Sequence, residues 1–158
     1  MNEKEVFQVH PIAFVRNQKK EIEDDNWGEV TSEIILAENI PDSTLDGIED
    51  FSHLEIIYLF HKICKTSIDF QSLHPRGNSN FPKTGIFAQR KKRRPNFLGL
   101  SMVSLIEKRE KSVLVSYLDA IDGTPVLDIK PVYAEFIHSG SFRQPKWSIE
   151  LMRNYWDI

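Results

Sequence analysis

Short apolar runs separated by turn chemistry, with no long helical pattern between them, constrain this chain's fold more than any other feature. They cover Phe7 to Val15, Ser32 to Ala37, His53 to Phe60, Thr84 to Gln89, Gly99 to Glu107, Ser112 to Leu118 and Pro125 to Phe136, and are rich in Val, Ile, Phe and Tyr. Parallel βαβ units require a helix between successive strands, so runs spaced this way predict an antiparallel barrel or sandwich. The expected fold is mainly β, a small antiparallel β-barrel with short helices. Leu54 to Phe60 is nearly continuous in apolar character and predicts a central strand covered on both faces. Asp122-Gly123 predicts a hairpin turn between two runs, because Gly accepts positive φ and Asp tolerates it.

Two segments read as helical. One lies within Asp42 to Phe51, after the start signal Pro41-Asp42-Ser43; the other spans Ser148 to Trp156, with Ser148 as its N-cap. His74 to Lys83, with two prolines, Gly77 and two asparagines, reads as a functional loop. A linker around Ser139 to Pro145 divides residues 1–138, the barrel domain, from a tail over 139–158. Trp147, Tyr155 and Trp156 are a large apolar load for a free extension, so the tail is expected to dock on the barrel.

The 158 residues, 41% hydrophobic and 27% charged, have ordinary globular composition and suffice for one domain. Net charge is only −3, yet Arg90, Lys91, Lys92, Arg93 and Arg94 are consecutive. Such a block repels itself, and its position between two apolar runs points to an anionic, phosphate-rich ligand. The seven glycines never fall within two positions of one another, which removes the GxG turn of a Rossmann site and the P-loop. His10, His53, His61, His74 and His138 are scattered without metal-ligand spacing, so no metal is expected. Cys64 lacks a nucleophile signature and reads as a small buried residue at a strand end. A single cysteine, and a start without the apolar core of a signal peptide, predict a reducing, cytoplasmic setting. Leu54 to Ile63 is interrupted by Glu55, His61 and Lys62, so no membrane association is expected.

Four ordered blocks carry a resemblance. They are Gly47-Ile48-Glu49-Asp50-Phe51-Ser52-His53-Leu54, His74-Pro75-Arg76-Gly77-Asn78, the segment Gly85 to Ser101 containing Arg94-Pro95-Asn96, and Leu118 to Pro131 containing DGTPVLDIKP. With these blocks, and from about Val9 to Phe136, the chain resembles the TsaA-like family, whose characterised members are tRNA adenosine methyltransferases of the TrmO type. The resemblance implies a β-barrel enzyme that binds S-adenosylmethionine outside any Rossmann fold, acts as a homodimer with the cofactor near the interface, and methylates the exocyclic nitrogen of threonylcarbamoyl-modified adenosine beside the tRNA anticodon.

Carried over residue by residue, the resemblance assigns cofactor contacts to Asn26, Trp27, His61, Lys62, Arg90, Leu100, Tyr117, Leu118 and Asp119. It places the RNA on Arg76, Lys91, Lys92, Arg93, Arg94 and Asn96. A sulfonium needs a carboxylate, carbonyl oxygens or an aromatic face, which Asp119 or the strand-end main chain supplies. A carbamoylated adenine nitrogen is a weak nucleophile and gains from a base; Asp122, Asp128, His61 and His53 are unranked candidates, and an Asp beside a turn more often caps backbone amides. Lys130 reads as an ion-pair partner of Asp128. Lys91-Lys92-Arg93 stand where the tRNA-modifying members carry a small hydroxyl residue and an aromatic, and Phe97-Leu98 replaces Pro-Ile. Two other readings therefore stay open: a methyltransferase with another acceptor, and a non-catalytic RNA-binding or cofactor-sensing module.

Overall fold

Strands β1 (Ala13–Arg16), β2 (Thr31–Leu36), β3 (His53–Leu59), β4 (Leu98–Lys108), β5 (Ser112–Ser116) and β6 (Pro125–Pro131) close into an antiparallel barrel in the order β1-β2-β5-β4-β3-β6. The structure is a computed structural model that describes residues 5–64, 68–137 and 140–157. Closure leaves no unpaired sheet edge, and alternation along each strand sends one set of side chains inward. Ala13, Val15, Ile34, Leu54, Ile56, Tyr58, Val103, Val113, Val115 and Val126 fill the bore, each at most 2% exposed.

β3 is central, between β4 and β6, but only Leu54, Ile56 and Tyr58 are fully buried while Glu55, Ile57 and Leu59 face outward and are half-covered. Its apolar outer residues belong to a flank of the barrel, not to a second covered face. Thr84 to Gln89 is not a strand. Thr84 makes an isolated bridge to Leu73, and Ile86–Ala88 then forms a 3₁₀ turn, because the closed barrel offers this run no edge to join. The last apolar run stops pairing at Pro131, and Ala134–Phe136 is another 3₁₀ turn.

Asp122-Gly123 is a turn, with Gly123 at φ +75°, but it joins no hairpin: β5 and β6 lie on opposite sides of the barrel. The Asp122 N–H donates to the Lys19 carbonyl at 2.7 Å and the Gly123 N–H to that of Val15 at 2.8 Å, which docks the turn on the end of β1. The short hairpin is instead Arg109 to Lys111, between β4 and β5.

Asp42 to Phe51 holds two 3₁₀ turns, Asp42–Leu45 and Ile48–Asp50, not a longer helix. In the tail, helix α1 is Lys146–Leu151. Pro145 takes the N-cap position, and Ser148 lies inside the helix, its hydroxyl donating to the Pro145 carbonyl at 2.8 Å. The predicted boundary at 138/139 lies outside the described residues. Cys64 is exposed rather than buried, since the chain has already left β3 at Leu59. Among the described residues no helix is long and apolar enough to cross a membrane, and no group of His, Cys, Asp and Glu is placed to hold a metal ion.

Candidate functional site

Because β5 and β6 are not neighbours, the segment between them must cross the end of the barrel. Leu118 plugs that end, fully buried in the core cluster. Asp119 follows it over the termini of β3 and β4. There the Tyr58 hydroxyl donates to Asp119 Oδ1 at 3.0 Å, the Ser101 hydroxyl bonds the same oxygen, and the Tyr155 hydroxyl from the tail bonds Oδ2. Burial and the Asp119 charge push both phenols well above the usual tyrosine range, so they remain donors.

Gly99 makes this arrangement possible. It pairs with Tyr58 across the β3–β4 ladder, and a Cβ at Gly99 would lie within 2.9 Å of three Tyr58 ring carbons. Only a residue without a side chain lets the ring lie over β4 and aim its hydroxyl at Asp119.

Beside Asp119 opens a cleft lined by Trp27, Tyr58, Phe60, His61, Lys62, Lys92, Ile121 and Thr124, among others. Four of the predicted cofactor residues, Trp27, His61, Lys62 and Asp119, thus share one cavity with Lys92 of the predicted RNA set. Burial and the adjacent Lys62 charge hold the His61 imidazole below its ordinary range, against a hydrogen bond with the Leu59 backbone. The ring is therefore neutral at pH 7 and able to accept a proton.

The other predicted cofactor residues flank the cleft instead of lining it. Arg90 donates to the Leu100 carbonyl, and the neighbouring Ser101 continues the connection to Asp119. The Leu100 side chain points outward and is 43% exposed. Asn26 and Tyr117 both take left-handed backbone, at φ 63° and 64°. The Leu118 side chain is unreachable, which leaves only its main chain for a ligand.

The basic segment is less free than its sequence suggested. Lys91 pairs with Asp69 at 2.9 Å, Lys92 with Asp24 at 2.6 Å, and Arg76 makes a two-pronged bond with Asp25 at 2.7 and 2.8 Å. Burial raises the Asp24 carboxyl, but Lys92 and Arg76 outweigh it and hold the group below the usual range. Arg94 turns back to the Gln89 carbonyl at 3.1 Å. Arg93 and Asn96 are exposed. Adjacent cations draw acidic partners, which here come from two places, Asp24 for Lys92 and Asp69 for Lys91. Half-exposed pairs of this kind contribute about 0.2–1 kcal/mol each, little enough for phosphate groups to displace them.

Among the candidate bases, Asp122 accepts the Asn17 N–H at 3.0 Å and pairs with Lys20 at 2.6 Å, the capping role. Asp128 caps Ile129 and pairs with Lys130 at 2.5 Å. His53 begins β3 whereas Tyr58 sits near its other end, so it is roughly 17 Å of strand away from the cleft. His61 is the one of the four that lines the cavity. The sequence reading missed Tyr58, Ser101 and Tyr155. Tyr58 is the one polar-tipped side chain among the inward positions of β3, which is the signal that marks it.

Comparison with known proteins shows what the chain is similar to. The sequence profile described as "tRNA-methyltransferase O N-terminal domain" matches residues 14–137. The chain is 38% identical over 116 residues to the tRNA (adenine(37)-N6)-methyltransferase of Homo sapiens, which covers 73% of this chain and 26% of that protein. It is 35% identical over 132 residues to a probable S-adenosyl-L-methionine-binding protein of Methanothermobacter thermautotrophicus, 81% of this chain and 91% of the relative. A crystal structure of TrmO from P. aeruginosa superposes with a TM-score of 0.74 at 25% identity, over 93% of this chain and 64% of the other. The chain spans less than half the length of the human, mouse, rat and Pyrococcus abyssi relatives it matches.

Proposed function

Because this chain belongs to the family of the tRNA-methyltransferase O N-terminal domain, we propose that it transfers a methyl group from S-adenosylmethionine to the exocyclic nitrogen of an adenosine in tRNA. The acceptor assigned is the threonylcarbamoyl-modified adenosine beside the anticodon. The observation that carries this reading is the cleft itself, which gathers Trp27, His61, Lys62 and Asp119 around a carboxylate fixed by neighbouring hydroxyls.

The chemistry of the lining fits the donor. Asp119 offers an acceptor for ribose hydroxyls or a counter-charge for a sulfonium, Trp27 and Phe60 offer ring surface, and Lys62 and Lys92 offer cations for a carboxylate. When bound, S-adenosylmethionine supplies an electrophilic methyl on a good leaving group, so the protein's task is alignment. Tyr58 and Ser101 hold Asp119 in place from inside the barrel. His61 takes the proton that leaves the acceptor nitrogen as its bond to the methyl forms. Lys91, Lys92 and Arg76 exchange their carboxylate partners for RNA phosphates, and Arg93 and Arg94 add further phosphate contacts; such contacts position the substrate without reading its sequence.

Residues 1–138 are assigned as the barrel domain and 139–158 as its tail, in a homodimer located in the cytoplasm with its tRNA. An outward stripe of Leu98, Leu100 and Met102, 40–49% exposed and paired with Leu59, Ile57 and Glu55, gives a second copy an apolar face beside Arg90.

The test is incubation of the purified protein with methyl-labelled S-adenosylmethionine and tRNA, with and without the threonylcarbamoyl group. Label is expected in the modified tRNA alone. Label in unmodified RNA points to a different acceptor, and no label in either, with cofactor bound, identifies a silent module.

A further inference from the structure

Residues 154–157 lie beyond the family-matched span of 14–137, yet they tie together two walls of the cleft. The Asn26 N–H donates to the Asn154 carbonyl at 3.3 Å and the Trp27 N–H to the Tyr155 carbonyl at 2.9 Å, so the tail runs as a short strap along this segment. The Tyr155 side chain reaches the other wall, where its hydroxyl bonds Asp119 Oδ2. Trp156 then sets its ring edge against Tyr117, centroids 5.3 Å apart. The seating is close: a Cβ on Gly28 would come within 3.0 Å of the Trp156 carbonyl carbon and nearer still to its oxygen.

Trp27 and Asp119 both line the cleft, whereas Tyr155 does not and contacts each of their segments. We propose that Tyr155 is a positioning residue for the methyl donor. Its carbonyl fixes the wall carrying Trp27 and its hydroxyl fixes the orientation of the Asp119 carboxylate. The two bonds act on separate loops, so one tail residue sets the distance between them. Oδ1 is already held by Tyr58 and Ser101, and Tyr155 holds the second oxygen, which leaves the carboxylate no freedom to turn toward water. A group held this way meets a cation or hydroxyl without reorganising, which is the source of preorganised affinity. The inference rests on the donor-binding reading above.

Calorimetric titration of the full-length chain with S-adenosylhomocysteine, the demethylated donor, tests it. Tyr155→Phe keeps the ring and the strap's backbone bonds and removes only the hydroxyl; affinity is expected to fall about tenfold, or about 1.4 kcal/mol. Gly28→Ala, which displaces the Trp156 carbonyl, is expected to weaken binding at least as much. Ile149→Ala, on the exposed side of α1 and 56% exposed, is expected to bind as wild type does. In turnover, Tyr155→Phe raises KM for the donor and leaves KM for tRNA unchanged, whereas a merely structural tail would lower the active fraction and move neither. Tyr155→Phe binding within twofold of wild type overturns the inference while the donor site stands, and so does an equal loss in Ile149→Ala. Wild-type protein that binds no S-adenosylhomocysteine overturns both readings. If Gly28→Ala does not fold, Tyr155→Phe decides alone.

Discussion

Gly99→Ala is the most economical way to break the site from inside the barrel. The added methyl would meet three ring carbons of Tyr58 within 2.9 Å, and the ring is only 2% exposed, so it must shift against packed neighbours. Overpacking of this kind costs about 1–3 kcal/mol. If the ring moves, its hydroxyl leaves Asp119 and Ser101, and a buried donor without partners adds about 1–3 kcal/mol. For a chain of this size each kcal/mol lowers Tm by about 2–4 °C, so the loss is roughly 5–20 °C. Scanning calorimetry measures it, with S-adenosylhomocysteine titration reporting on Asp119. Tyr58→Leu in the Gly99→Ala background removes the colliding ring, so the double variant should be more stable than the sum of the single effects predicts, by roughly 1–2 kcal/mol. A Gly99→Ala protein that melts within a degree of wild type, or additivity in the cycle, would show that Gly99 does not hold the Tyr58 ring in place.

Three further outcomes are expected. Neutralising Lys91, Lys92 and Arg93 to Gln weakens tRNA binding and reduces the slope of log K against log salt by roughly 2, whereas Asp24→Asn with Asp25→Asn releases Lys92 and Arg76, tightens binding at low salt and steepens the slope; filter binding across a salt series checks both. His61→Gln lowers kcat about 10²-fold; burial and, after it, the Lys62 charge hold the His61 pKa down, so Lys62→Met, which removes the charge, raises it and moves the acidic limb of the pH–rate profile to higher pH, and a limb that stays in place removes His61 from the proton path. Met102→Lys puts a charge on the outward stripe of β4 and is expected to convert the proposed homodimer to monomer in light scattering, with Tm within about 2 °C of wild type because the position is half-exposed.

The barrel was legible because its evidence is local. Six of the runs rich in β-branched and aromatic residues became strands, since alternation and turn residues act over a few positions. What failed was pairing. Asp122-Gly123 has the chemistry of a hairpin turn, but only the order of strands around the barrel shows that it crosses the bore, and only that crossing puts Asp119 above Tyr58. Thr84 to Gln89 has strand composition and lacks a partner, a fact invisible before closure. In the candidate site, Asp119 alone was readable from an ordered block; Trp27, His61 and Lys62 were readable from the wider resemblance, and all four line one cleft. Tyr155 was not, because its contact with Asp119 spans 36 residues and depends on the tail folding back. The basic run misled in the opposite sense: its charges are real, but Asp24 and Asp69 reach two of them from elsewhere in the chain.

Backbone strain marks the same region without reference to any side-chain role. The described non-glycine residues with positive φ are Asn26, Arg76, Asn96, Phe97 and Tyr117, at 49° to 64°. None lies in a strand, and each belongs to a segment that borders the cleft or carries the basic loop. Asn tolerates this conformation through its short polar side chain, but Arg, Phe and Tyr do not, and each costs of order 1–3 kcal/mol unless its surroundings impose it. Here they do: Asp25 clamps Arg76, the Phe60 N–H reaches the Phe97 carbonyl at 2.8 Å, and Trp156 stacks edge-on against Tyr117. The barrel thus supplies the stability, and the loops at one end of it use part of that stability to hold unfavourable backbone in place. Glycine would hold these positions at lower conformational cost; side chains kept there despite that cost support the site proposed at the end of the barrel where Asp119 sits.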